Sequence, residues 1–233
     1  MRRWRQATVV MAGLALCGFP AQRADALYIQ GTRGDDRLHG NARSNYITGL
    51  RGDDVIFGLG SLDRLVGGDG DDVLFGNLGN DSLGGGVGDD LLRGGMGPDE
   101  ARGRGGVDEV SGGHGDDALY GGLRADRMYG YPGGDWILGQ QGADSIFGGR
   151  GSDSVEGGGG GDDIHAGPDD DDVKPGGGSD HVDLGLGDDT VILRPDDWPD
   201  EVDCGDGTDR VIVLRALDPL DSFVNCEETE LPS

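Results

Sequence analysis

Gly67-Gly-Asp-Gly-Asp-Asp-Val-Leu-Phe75 and Gly112-Gly-His-Gly-Asp-Asp-Ala-Leu-Tyr120 are two copies of one nine-residue unit. Followed outward in both directions, the unit recurs eighteen times between Gly31 and Ile192 without insertion or deletion. A fixed period of this length is the signature of a stacked, quasi-one-dimensional architecture, and it overrides any window-by-window assignment of helix or strand. The composition alone, with 50 glycines, 6% aromatic residues and a formal charge of −26, would suit a disordered chain. Such a chain has no reason to hold a nine-residue register over this distance.

Numbered one to nine from Gly31, the unit has Asp at position six in 17 of 18 copies, the exception being Asn45. Position eight is apolar in all 18, from Leu38 to Val191. Position one is glycine in 15, failing at Ala166, Pro175 and Leu184; position four is glycine in 14, failing at Arg43, Ser61, Arg124 and Asp169. Glycine at positions one and four permits positive φ and close backbone approach, so positions one to six are expected to form a tight turn. Positions seven to nine, such as Val73-Leu-Phe75, then form a short strand with position eight inward and seven and nine outward. One inward apolar side chain per nine residues is a thin core, and like-charge repulsion opposes compaction further. A bound cation answers both problems. Turn chemistry alone would accept Asn or Ser as readily as Asp, so 17 Asp against one Asn points to a charge requirement.

The pattern Gly-Gly-x-Gly-x-Asp-x-apolar-x resembles the repeats-in-toxin, or hemolysin-type, calcium-binding family. The resemblance implies an all-β fold, a parallel β-roll (a right-handed β-solenoid) of two facing parallel sheets with 18 residues per coil. It implies calcium as the ligand, with several Ca²⁺ ions between same-side turns of successive coils. They would be held by position-six carboxylates and backbone carbonyls, oxygen donors that suit a hard cation. The carboxylates so assigned are Asp36, Asp54, Asp72, Asp81, Asp90, Asp99, Asp108, Asp117, Asp126, Asp135, Asp144, Asp153, Asp162, Asp171, Asp180 and Asp189. Asp63 is left out because its loop, Leu59-Gly-Ser-Leu-Asp63, is weak. Two units make a coil, so odd-numbered units stack on one side and even-numbered units on the other. Calcium is expected in the odd column near the N-terminus, beginning Gly34-Asp-Asp36 and Gly52-Asp-Asp54, and not in the first even sites, where Arg43 would bring its own cation. Arg124 is expected to weaken one odd site and Ala166-Gly-Pro-Asp169 a late even one. Folding would then depend on calcium.

Residues 1–26 read as a secretory signal peptide. Arg2, Arg3 and Arg5 precede an apolar stretch, Ala7 to Phe19, and Ala24-Asp-Ala26 offers a small-x-small cleavage pattern. The apolar stretch is too short to span a bilayer, so no membrane span is expected after cleavage. Cleavage would take the formal charge from −26 to −29 by removing four arginines and one aspartate. It would also remove Cys17, leaving Cys204 and Cys226 as a candidate disulfide in an oxidising, extracellular setting. The chain thus divides into a leader, a roll over 27–192, and a C-terminal segment over 193–233. In that last segment the register slips by Leu193-Arg194 and resumes as Pro195–Asp203 and Cys204–Ile212. A cysteine bridge would close it as the cap a solenoid needs.

One lysine, Lys174, and no basic stripe argue against nucleic acid as a partner. No nucleophile-elbow or HExxH pattern is present. The best constellation is Ser145, Asp163 and His181, at position seven of successive odd units. Its order is wrong for a relay, and a flat sheet offers no oxyanion hole. The reading is therefore a secreted, non-enzymatic calcium-dependent structural or adhesive module. Position nine of the odd units stacks His39, Phe57, Phe75, Arg93, Ser111, Tyr129, Phe147 and His165. Such a ladder stabilises a sheet through same-face pairing; the alternative is a carbohydrate or cell-surface partner bound through it. A secreted hydrolase or toxin fragment is a further alternative, and the tail does not resemble the uncleaved export signal of toxin relatives.

Overall fold

The computed structural model describes residues 26–214 and 219–230; the expected leader, apart from Ala26, lies outside the described residues. All regular structure among them is β, in 23 strands forming two parallel sheets. β1 (Leu27–Gln30), β3 (Asn45–Arg51) and each odd strand up to β23 (Glu228–Glu230) make a twelve-stranded sheet. β2 (Arg37–His39), β4 (Val55–Gly60) and each even strand up to β22 (Ser222–Val224) make an eleven-stranded one. Paired residues along the regular part are one coil apart, Val55 with Val73 and Val73 with Leu91. The chain is a β-solenoid of about eleven turns with roughly 18 residues per turn, as expected.

The strands are longer than expected. β6 (Val73–Leu78) takes positions seven to nine of one unit and one to three of the next, so only positions four to six turn. Side-chain alternation runs straight through the unit boundary: six, eight and one face inward, seven, nine and two outward. The interior therefore has three columns per side, carboxylate, aliphatic and glycine. The aliphatic column, from Leu38 through Leu74 and Ile137 to Val211, is buried throughout.

The role of the position-one glycine is also corrected. Gly121 and Gly148 have no positive φ. Instead, a Cβ on Gly121 would lie 2.6 Å from Asp126 Oδ2, and one on Gly148 2.6 Å from Asp153 Oδ2. The missing side chain makes room for the carboxylate of the same unit. Positive φ falls at positions two and four, as at Gly68 (136°) and Gly70 (134°).

Toward the C-terminus position one fills with carbon. Ala166, Leu184 and Cys204 are buried in one sheet, and Leu193 and Val213 pair in the other. The slip at Leu193-Arg194 lengthens the pairing interval, so that Val182 meets Val202 and Val191 meets Val211. Both sheets nevertheless continue through β20 (Glu201–Asp203) and β21 (Arg210–Val213). The Cys204–Cys226 disulfide is formed, with Cα atoms 5.1 Å apart. At the other end Ile29, in the strand before the first unit, closes the apolar column.

Candidate metal centre

Position six lies where each turn enters its strand, and parallel stacking sets every Asp over its counterpart one coil away. From Asp54 onward each carboxylate uses Oδ1 in the same way, accepting the backbone N–H of the position-six residue one coil earlier. Asp54 Oδ1 accepts from Asp36 (2.8 Å), Asp72 from Asp54 (2.8 Å), Asp99 from Asp81 (2.7 Å) and Asp189 from Asp171 (2.7 Å). Two such ladders run along the roll, one on each side. The tail terminates both: Asp221 Oδ1 accepts the Asp200 N–H (3.1 Å), and Glu227 Oε2 accepts the Asp209 N–H (3.0 Å).

The second oxygen has no such partner. Oδ2 of Asp54, Asp63, Asp72 and each later unit to Asp189, and of Asp209, is buried and meets no hydrogen-bond donor. Their residues are at most 4% exposed. A buried carboxylate oxygen left unpaired carries a heavy desolvation cost. Burial, the largest cause, raises these carboxyls well above the ordinary 3.8, to about 7 at Asp54, Asp72 and Asp117 and about 8 at Asp90 and Asp171. Neighbouring carboxylates push the same way, and the ladder N–H pulls back only part. A row of desolvated anionic oxygens about 4.8 Å apart needs either protons or cations between them.

Among the described residues no group of three or more His, Cys, Asp or Glu side chains converges on a metal position. A cation in these columns would therefore take its remaining ligands from backbone carbonyls. An all-oxygen donor set of that kind fits Ca²⁺ and disfavours metals that prefer imidazole or thiolate.

All sixteen Asp residues assigned from the sequence lie in the two ladders. Asp36 differs in detail: its Oδ2 accepts from the Thr32 N–H (2.5 Å) and hydroxyl (2.9 Å), and Oδ1 is the unpaired atom. Asp63, Asp200 and Asp209 are buried members that the sequence reading left out of the set. In the Asp63 loop Ser61 takes the positive φ (68°) that glycine takes elsewhere, as do Arg124 (78°) and Asp169 (84°) in theirs. The acceptors Asp221 and Glu227 fall outside the period and carry no signal in it. Arg43 is an exposed residue, and the buried place in that column belongs to Asn45.

A second acidic row lines the first odd turns. Asp35 Oδ1 accepts the Asp53 N–H (3.1 Å), Asp53 Oδ1 the Asp71 N–H (3.2 Å) and Asp71 Oδ1 the Asp89 N–H (2.9 Å). This is the side and the end where the sequence has its strongest loops.

On the outer face of the eleven-stranded sheet, Ser145 pairs with Asp163 and Asp163 with His181, so Asp separates the other two. His165 lies 3.5 Å from both Asp163 and Asp183. The aromatic ladder forms as expected. The pairs His39–Phe57, Phe57–Phe75, Tyr129–Phe147 and Phe147–His165 stack with centroids 4.7–5.2 Å apart and interplanar angles of 4–12°. Rings stacked in this way spend their faces on one another and turn their edges to solvent.

Among curated proteins no sequence matches the chain. A family model, the RTX calcium-binding nonapeptide repeat in four copies, matches at residues 30–63, 57–92, 93–128, 120–155, 129–164 and 156–191. These stretches contain both columns of unpaired carboxylates as far as Asp189. Repeat, solenoid and carboxylate ladder agree with it, and the chain belongs to the RTX calcium-binding nonapeptide repeat family.

Proposed function

We propose that this chain is a secreted structural module whose roll is completed by calcium. The observation that carries the reading is the column of buried, donorless Oδ2 atoms. Repeats of this family bind Ca²⁺, and the ion supplies the positive charge that these oxygens lack. The chain's own residues do the rest. The position-six carboxylates from Asp54 to Asp189 would hold the ions, joined by Asp63 and Asp209. The position-one glycines keep space beside those carboxylates, and the ladder N–H groups fix Oδ1 so that Oδ2 lies against the position-one glycine of its own unit. Secretion is supported by the disulfide, which suits an oxidising compartment, and by the leader over 1–26. The further division into a roll over 27–192 and a cap over 193–233 places the disulfide in the cap. Among the described residues no helix is long and apolar enough to cross a membrane.

For the outward aromatic ladder the ring geometry favours sheet stabilisation. A sugar ring packs on an open aromatic face, and here the faces are occupied by neighbouring rings. Circular dichroism of calcium-stripped protein, followed through a calcium titration at neutral pH, tests the proposal. The expected result is loss of the β spectrum on stripping and its return with calcium. Identical spectra in both states would overturn it.

A further inference from the structure

We infer that Asn45 closes the first position of the even column to calcium by placing its own amide where the other units need a cation; the inference rests on the calcium reading above. Asn45 is 4% exposed and stands at position six, the one unit of eighteen without Asp. Its Nδ2 lies among four oxygens. It donates to the carbonyls of Asn41 (3.2 Å) and Arg43 in its own turn, to the Gly58 carbonyl one coil on (3.4 Å), and to Asp63 Oδ1 (2.7 Å). Backbone carbonyls from two successive coils and a carboxylate thus surround one nitrogen with partial positive charge. A carboxylate oxygen placed there would find no donor, which is the state of Oδ2 in the units that carry Asp.

The surroundings confirm that the amide is seated as part of the structure. Its backbone N–H also donates to Asp63 Oδ1 (2.7 Å), so both donors of one residue converge on one carboxylate oxygen. A Cβ on Gly40 would come 2.7 Å from Nδ2, so the position-one glycine makes room here for an amide as it does elsewhere for a carboxylate. The turn is held locally, because the Arg43 N–H donates to Asn41 Oδ1 (2.8 Å) in an Asx turn. The one buried polar atom of Asn45 left without a partner is its uncharged Oδ1, which, like Asp36 Oδ1, heads its ladder and has no earlier position-six N–H to accept. The exclusion is assigned to Asn45 because its amide is buried in the column, whereas Arg43 is exposed.

The test compares intact wild-type chain with Asn45→Asp by calcium titration calorimetry. Wild-type stoichiometry reports on the calcium reading itself: a chain that takes up no calcium would end that reading. Given uptake, Asn45→Asp is expected to bind one more ion per chain than wild type. An unchanged number in a variant that gives the wild-type β spectrum would overturn the inference. If the variant does not fold at saturating calcium, the wild-type amide reports directly. Its Nδ2 protons should exchange slowly with solvent in calcium-loaded protein by NMR, and exchange at the rate of exposed Asn side chains would overturn it.

Discussion

The middle of the roll and its C-terminal end solve the same interior problem with different residues. In the middle, around Leu74 to Ile146, position one is glycine and each unit buries one aliphatic side chain beside one carboxylate. At the end, Ala166, Leu184, Leu193, Cys204 and Val213 take up the glycine's place, and a disulfide ties the last coil down. The end adds carbon and a covalent tie that the middle lacks, although Oδ2 of Asp171, Asp180, Asp189 and Asp209 is as unpaired there as in the middle. Both regions should therefore respond to calcium, and the glycine-lined coils, with less carbon beside their carboxylates, should lose more structure without it.

Proton concentration should produce the largest effect. Burial raises the ladder carboxyls from 3.8 to about 6 at Asp81, about 7 at Asp99 and about 8 at Asp90, so the folded chain binds more protons than the unfolded one. Without calcium, stability is then fullest below about pH 4 and is lost as pH rises through about 6 to 8. Calcium-stripped protein should show more β signal at pH 5 than at pH 8 by circular dichroism. Equal signal, or more at pH 8, would break the link between unpaired carboxylates and instability.

Position one can be exchanged between the two regions. Gly121→Leu should abolish cooperative folding, since even its Cβ would fall against Asp126 Oδ2 and the Gly139 carbonyl. Leu184→Ala should cost about 2–5 kcal/mol in thermal or denaturant melts of calcium-loaded protein, as a buried truncation that leaves a cavity. Comparable small losses from both would erase the proposed contrast. The cap comes next: replacing Cys204 and Cys226 together with Ser removes a closed loop of about 23 residues and should cost roughly 3 kcal/mol. Hydrogen exchange should place that loss in the C-terminal strands first. The smallest effect is a gain. Gln140 is exposed at a φ of 81°, and Gln140→Gly should raise stability by about 1 kcal/mol in the same melts.

Much of this was legible because the period does most of the structural work. Asp at position six and apolar residues at position eight put both inward columns in place, and the two-residue slip at Leu193-Arg194 appears in the strand pairing as a longer interval. Three features were not legible. Glycine at position one looks in sequence like a turn former; only strand alternation across the unit boundary shows that it faces inward against a carboxylate. The loop before Asp63 lacks the usual glycines, yet Leu59 and Ser61 adopt positive φ (88° and 68°) and keep the turn, at a local backbone cost that the residue types alone do not announce. Asn45 was visible as an exception, yet its meaning depends on which carbonyls surround its nitrogen, and no spacing rule conveys that.

The ladder of Oδ1 contacts has a direction. In the position-six ladder the N–H of one coil reaches the carboxylate of the coil after it, whereas the acidic row of the first odd turns runs the other way. In that ladder a coil therefore waits on residues that a ribosome makes later. During N-to-C emergence the growing tip is always one tooth short of zipped, and each arriving turn locks its predecessor while remaining open itself. The wait ends only when Asp221 and Glu227 arrive to receive the last two N–H groups. The final dozen residues are in this sense the latch of the whole roll, and a chain truncated before Asp221 would stay permanently unfastened at that end.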